Sequence, residues 1–140
     1  MITYVDTSTL LKLVVDEAGS DRAAVLWDAA DALASAMLIT VEARAALAAA
    51  ARGGRLTTGQ HRQARSDLAD LLGDLHLIEI TDGLITRAAD LAEDEALRGY
   101  DAVHLAAALH VESDVLSSAD SALCDAAARR GMHVANPLAG

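Results

Sequence analysis

Short apolar runs alternate along this chain with longer stretches in which apolar residues recur every three or four positions. Runs of four or five read as strands, and stretches of about ten or more with that periodicity read as helices. Strands are predicted over Ile2–Asp6, Ala32–Ala36, His76–Ile80, Asp114–Ser117 and Met132–Ala135. Helices are predicted over Thr7–Val15, Ser20–Ala30, Thr40–Arg52, Thr58–Leu72, Asp82–Leu97, Asp101–Glu112 and Asp120–Arg130. Strands that alternate with helices imply βαβ units, hence a mainly parallel sheet with helices on both faces. The expected class is α/β, a three-layer α/β/α sandwich around about five strands.

The helix signals are chemical as well as periodic. Thr40 and Thr58 are candidate N-caps, and Gly53 and Gly131 sit where C-caps belong. Thr40–Arg52 and Thr58–Leu72 follow one another across Gly53-Gly54 and read as an inserted helical hairpin. A second consecutive pair surrounds Gly99. Pro137 follows the last strand and closes the fold.

Composition supports a core built by close approach of small side chains. Of the 140 residues, 53% are hydrophobic, and the aromatics are only Tyr4, Trp27 and Tyr100. A domain of this length buries roughly two thirds of its unfolded surface. No apolar run reaches the roughly 18 residues that span a bilayer, so no membrane association is expected. The start, Met1-Ile2-Thr3-Tyr4-Val5-Asp6, has no basic region and places an acid inside the apolar stretch, unlike a signal peptide. Cys124 is the only cysteine and reads as a packed, inert thiol rather than a nucleophile. A cytoplasmic location is the expectation.

The net charge of −10 argues at first against a nucleic-acid partner. Its distribution changes that picture. Between Ala43 and Ser66 there is no acid, while Arg44, Arg52, Arg55, Arg62 and Arg65 all fall there. The stretch reads either as a solvated hairpin or as a patch that faces phosphates.

Ligands of an open parallel sheet bind beyond the carboxyl ends of its strands, where loops enter helix N-termini. Four acids are predicted to fall there: Asp6 at the end of the first strand, Glu42 in the first turn after the second, Asp101 after Gly99-Tyr100, and Asp120 after the fourth. Singly, each suits a helix cap or a helix dipole. Together they are costly, because like charges about 5 Å apart repel by roughly 3 kcal/mol per pair at an effective dielectric near 20. Ser, Thr or Asn would cap without that cost. The one lysine, Lys12, is not a compensating partner in this reading, so the acids point to a hard divalent cation, Mg²⁺ or Mn²⁺, with waters and phosphate completing its shell. Such a site suits phosphodiester hydrolysis.

The segments around these acids resemble those of PIN-domain proteins, specifically the VapC-type toxins of bacterial toxin–antitoxin pairs. Tyr4-Val5-Asp6-Thr7-Ser8 with Leu10-Leu11-Lys12-Leu13 is similar to the opening motif, and Ser35 through Thr40-Val41-Glu42-Ala43 to the second. Arg98-Gly99-Tyr100-Asp101-Ala102-Val103-His104-Leu105-Ala106-Ala107-Ala108 is similar to the third and is the most specific. Ser118-Ala119-Asp120 matches the fourth, where Thr is the commoner first residue. The resemblance covers nearly the whole length and implies a single PIN domain over residues 1–140. It further implies an Mg²⁺-dependent endoribonuclease of the VapC type, with RNA as substrate and a cognate VapB-like antitoxin as inhibitor. Homodimers, often assembled further with antitoxin, are also implied. The acids matching Asp6 and Asp101 are then direct metal ligands, and those matching Glu42 and Asp120 complete the site by ligation or by positioning water.

Other residues are read more plainly. Ser8 is either a partner of Asp6 or a helix-start hydroxyl. His104 is a satisfied helix histidine in preference to a general base. His104 and His110 are six apart and do not have zinc spacing. Asp125 reads as a surface acid. A haloacid-dehalogenase-like phosphatase needs a second Asp where Ser8 stands, and a receiver domain needs a lysine after a late strand. A PIN fold that serves only as a protein-binding module is the remaining alternative, and the presence of all four acids disfavours it.

Overall fold

The computed structural model describes residues 1–139. In chain order the elements are β1 Ile2–Val5, α1 Thr7–Leu11, α2 Ser20–Ala29, β2 Ala32–Ala36, α3 Leu38–Arg52 and α4 Thr58–Asp74. They continue with β3 His76–Ile78, α5 Asp82–Asp94, α6 Gly99–His110, β4 Val115–Ser117, α7 Ser121–Arg129 and β5 His133–Ala135. The strands form one sheet in the order β3-β2-β1-β4-β5, with every pairing parallel among the described residues. β1 is central: Tyr4 pairs with Ala34 on one side and Leu116 on the other.

Successive side chains of a strand point to opposite faces. Tyr4 joins a buried cluster with residues of α5, α6 and α7, including Leu84, Leu91, Leu105 and Leu123. Its neighbour Val5 joins a second cluster with Leu10, Ile39, Leu47, Ala64 and Leu68 of α1, α3 and α4. Two apolar clusters on the two faces of one sheet make the three-layer sandwich. The alanine bias also finds its place. Ala102, Ala106, Ala107 and Ala108 of α6 are fully buried, which lets this helix approach both the sheet and α5 closely. Each fully buried leucine, such as Leu105 or Leu116, contributes roughly 1.5–3 kcal/mol.

The strand order reverses at β1, whose neighbours are β2 and β4. The carboxyl ends of β1 and β4 are therefore side by side at a topological switch point.

Several boundaries differ from the sequence expectation. Thr40 is not the cap of α3, which begins at Leu38 after Met37; Glu42 consequently sits in the second turn. The cap of α4 is Thr57 rather than Thr58, in a reciprocal capping box with Gln60. α5 stops at Asp94 and α6 at His110; the left-handed residues Ala96 and Glu112 lie just beyond these ends. Asp101 is the third residue of α6 and not its opening residue. Gly131, with φ of 89°, takes the left-handed position after α7 that a C-terminal glycine serves.

Candidate active site

Asp6 follows β1 directly and caps α1, its Oδ1 accepting from Thr9 N at 3.3 Å. It is 5% exposed, and both of its oxygens are held by serines. Ser8 Oγ donates to Oδ1 at 2.6 Å and Ser118 Oγ donates to Oδ2 at 2.6 Å. Each serine in turn accepts a backbone N–H of the loop after β4: Ala119 N to Ser8 Oγ at 2.8 Å, and Asp120 N to Ser118 Oγ at 2.9 Å. Two loop amides are thus relayed through two hydroxyls onto one carboxylate. Burial pushes the Asp6 carboxyl above its usual range, against the opposing hydrogen bonds from Ser118, Ser8 and Thr9.

Glu42 projects from α3. Its Oε1 accepts from Thr7 Oγ1 at 2.8 Å and lies 2.6 Å from His104 Nε2. Burial works against ionisation here, but the His104 contact and the Thr7 hydroxyl outweigh it and hold the carboxyl below its usual range. His104 is 2% exposed, and its Nδ1 lies 2.6 Å from the Tyr4 hydroxyl. The satisfied-histidine reading therefore holds, with the added fact that one of its two partners is a site carboxylate.

Asp101 and Asp120 are joined by one guanidinium. Arg98 Nε donates to Asp101 Oδ2 at 3.1 Å, and Arg98 Nη2 donates to Asp120 Oδ2 at 2.9 Å. Asp120 also caps α7 through Leu123 N at 3.1 Å, as its position at a helix start suggests. Hydrogen bonds thus link Asp6 to Asp120 through Ser118, and Asp120 to Asp101 through Arg98, while Glu42 joins α1 and α6 through Thr7 and His104. The four acids stand at the carboxyl edge of the sheet as the pattern predicts. Glu42, Arg98, Gly99, Tyr100 and Asp101 line a cleft of about 560 Å³ there. Another cleft of about 570 Å³, among His76, Glu79, Arg87 and His110 at the β3 edge, contains none of the four.

The compensating cation absent from the sequence reading is Arg98. Lys12 is remote in role: it is 8% exposed and pairs with Glu17 at 3.0 Å. The signal for Arg98 was its i,i+3 spacing from Asp101. The signal for Ser118 was a hydroxyl two residues before Asp120, the spacing of a side-chain turn. Asp125 is exposed, as expected. Cys124 is a packed thiol that donates to Ser118 O at 3.3 Å, with its pKa pushed up to about 11 by burial first and by nearby acids next.

The donors at this edge are hard carboxylate oxygens. Among the described residues no three Asp, Glu, His or Cys side chains form a group that closes around a metal ion. Carboxylate oxygens are the ligand type that Mg²⁺ takes, with waters filling the rest of its shell. No helix among the described residues is long and apolar enough to cross a membrane.

The parallel sheet has this strand order, and Asp6 and Asp120 follow the two strands at its switch point. The PIN domain model matches residues 3–129, and the chain belongs to the PIN-domain family. Within that family it is of the VapC type. Over 110 residues it is 44% identical to Ribonuclease VapC45 of Mycobacterium tuberculosis, covering 79% of this chain and 76% of that protein. Solved structures agree on the fold. PAE2754 from Pyrobaculum aerophilum superposes with a TM-score of 0.70 at 24% identity, over 96% of this chain and 83% of that one. A toxin–antitoxin complex from Klebsiella pneumoniae gives 0.68 at 19% identity, over 96% and 97%.

Proposed function

We propose that this chain is an Mg²⁺-dependent endoribonuclease toxin that hydrolyses RNA phosphodiester bonds and is neutralised by a cognate VapB-like antitoxin. The observation that carries the reading is Asp6: a buried carboxylate at the switch point, held by hydroxyls and an amide, with no Lys or Arg paired to it among the described residues. Burying a charge without a partner is expensive, and a divalent cation removes that cost. The name of the M. tuberculosis relative supports ribonuclease chemistry, and the Klebsiella complex supports an antitoxin partner.

Asp6 and Asp101 are the direct metal ligands in this reading. A bound Mg²⁺ or Mn²⁺ supplies Lewis acidity there, neutralising phosphate charge and lowering the pKa of water. Ser8 and Ser118 hold both oxygens of Asp6 in place. Glu42 accepts a proton from the attacking water, and Asp120 fixes the loop after β4 at the rim. With three aromatics in the chain, base stacking contributes little, so substrate selection rests on RNA shape and phosphate contacts. The protein acts as a homodimer in the family manner.

One observation favours the alternative of a catalytically silent binding module: Arg98 already pairs two of the four acids. Purified protein free of antitoxin separates the two. A nuclease cuts structured RNA in Mg²⁺ and stops when the metal is chelated; a silent module leaves the RNA whole in both conditions.

A further inference from the structure

Three elements distant in sequence meet in a buried polar chain behind Glu42. Tyr4 of β1 is fully buried, and its hydroxyl oxygen accepts from Ala36 N at 3.0 Å. The acceptor that remains for the phenol proton is His104 Nδ1, at 2.6 Å. That assignment places the imidazole proton on Nε2, which donates to Glu42 Oε1 at 2.6 Å. Thr7 Oγ1 donates to the same oxygen. One Glu42 oxygen is therefore held by two donors, and the carboxylate lines the cleft with Arg98 and Asp101.

A core as rich in Ala and Leu as this one has no packing need for such a chain. Leu at 104 and Phe at 4 would fill similar space with no polar atom to satisfy. A glutamate with three rotatable bonds is otherwise free to swing, and two donors on one oxygen fix it.

We propose that His104, with Tyr4 behind it, is a positioning residue for Glu42, holding Oε1 so that Oε2 is presented to the cleft as the acceptor for a proton of the attacking water. The inference rests on the nuclease reading above and deepens it. His104 itself touches neither substrate nor metal; it acts through Glu42.

The test is steady-state RNA cleavage in Mg²⁺ by His104→Leu, His104→Gln, Glu42→Gln and the double variant Glu42→Gln/His104→Leu, each checked for folding by circular dichroism. His104→Leu is expected to lose about 10–100-fold in kcat, the usual scale for groups that orient a site residue, with little change in KM. His104→Gln, whose amide N–H can reach the place of Nε2, is expected to retain most of kcat. The double variant should be no slower than Glu42→Gln alone, because the histidine acts only through that carboxylate. If His104→Leu does not fold, His104→Asn takes its place, since its shorter amide stays near Nδ1 and cannot reach Glu42. A folded His104→Leu or His104→Asn with wild-type kcat overturns the proposal. So does a double variant in which the two losses multiply, which is the mark of a merely structural role. Wild-type protein that cuts no RNA overturns the nuclease reading itself, an outcome distinct from both.

Discussion

Arg98 Nη2 lies 2.9 Å from Asp120 Oδ2 while the Nε of the same guanidinium reaches Asp101, so the chain supplies its own cation to two of the four site acids. Arg98 is 80% exposed, and solvent screens both pairs. Their contribution to stability is therefore small. They bear on cation binding more directly, because the guanidinium occupies carboxylate oxygens that a bound cation would otherwise approach.

Arg98→Ala is accordingly expected to tighten Mg²⁺ binding while leaving the metal-free melting temperature nearly unchanged. Isothermal titration calorimetry reads the first and a thermal melt the second. Weaker Mg²⁺ binding in the variant would show that Arg98 assists the cation instead of competing with it.

Asp6 makes a pH-dependent prediction. Its folded-state pKa is raised above the unfolded value, chiefly by burial, so the folded chain binds the extra proton more readily. Stability tied to this group is then present at low pH and is lost as pH rises through the folded pKa. Asp6→Asn should raise the melting temperature at pH 7 without metal, and that gain should vanish as pH falls below the usual carboxylate range. A variant less stable than wild type at pH 7 would mean that the serine and amide hydrogen bonds outweigh the burial cost.

The two apolar faces give a stability prediction. Leu105→Ala removes a fully buried side chain of α6 and should cost about 2–5 kcal/mol in urea unfolding. Ala106→Leu adds volume where α6 packs closely and should cost about 1–3 kcal/mol. Near-neutral effects from both would contradict the close packing of this helix.

How much of the fold and site is legible in the sequence depends on the distance over which the physics acts. The alternation of runs locates the strands and helices, since periodicity reports burial directly. It overruns at α1, predicted to reach Val15 but ending at Leu11. There the backbone passes into turns, several closed by i to i+3 bonds, while Leu13, Val14 and Val15 still pack against the α3–α4 cluster. The side-chain pattern persists after the helix has stopped. The edge carrying the acids is legible because Asp6, Asp101 and Asp120 each adjoin a strand end or helix start, whereas Glu42 lies a turn further into α3 than the pattern placed it. The links between them are not: Tyr4 and His104 are 100 residues apart, and nothing local records that they meet.

The basic hairpin remains a surface with a clear expectation. Arg44, Arg52, Arg55, Arg62 and Arg65 are exposed on or between α3 and α4, and none is in an ion pair among the described residues. Reversing Arg52, Arg55, Arg62 and Arg65 to Glu should weaken RNA binding and flatten its salt dependence, by a slope of roughly one for each phosphate no longer neutralised. Unchanged affinity and slope would reduce the stretch to a solvated hairpin.

The central claim, that Asp6 anchors a metal-dependent nuclease site, is tested most directly by RNA cleavage with wild-type protein and Asp6→Asn side by side across a Mg²⁺ titration. The expected result is Mg²⁺-dependent cutting by the wild type, abolished by chelation, and none by a folded Asp6→Asn. Full activity in Asp6→Asn, or cutting that persists under chelation, would contradict it.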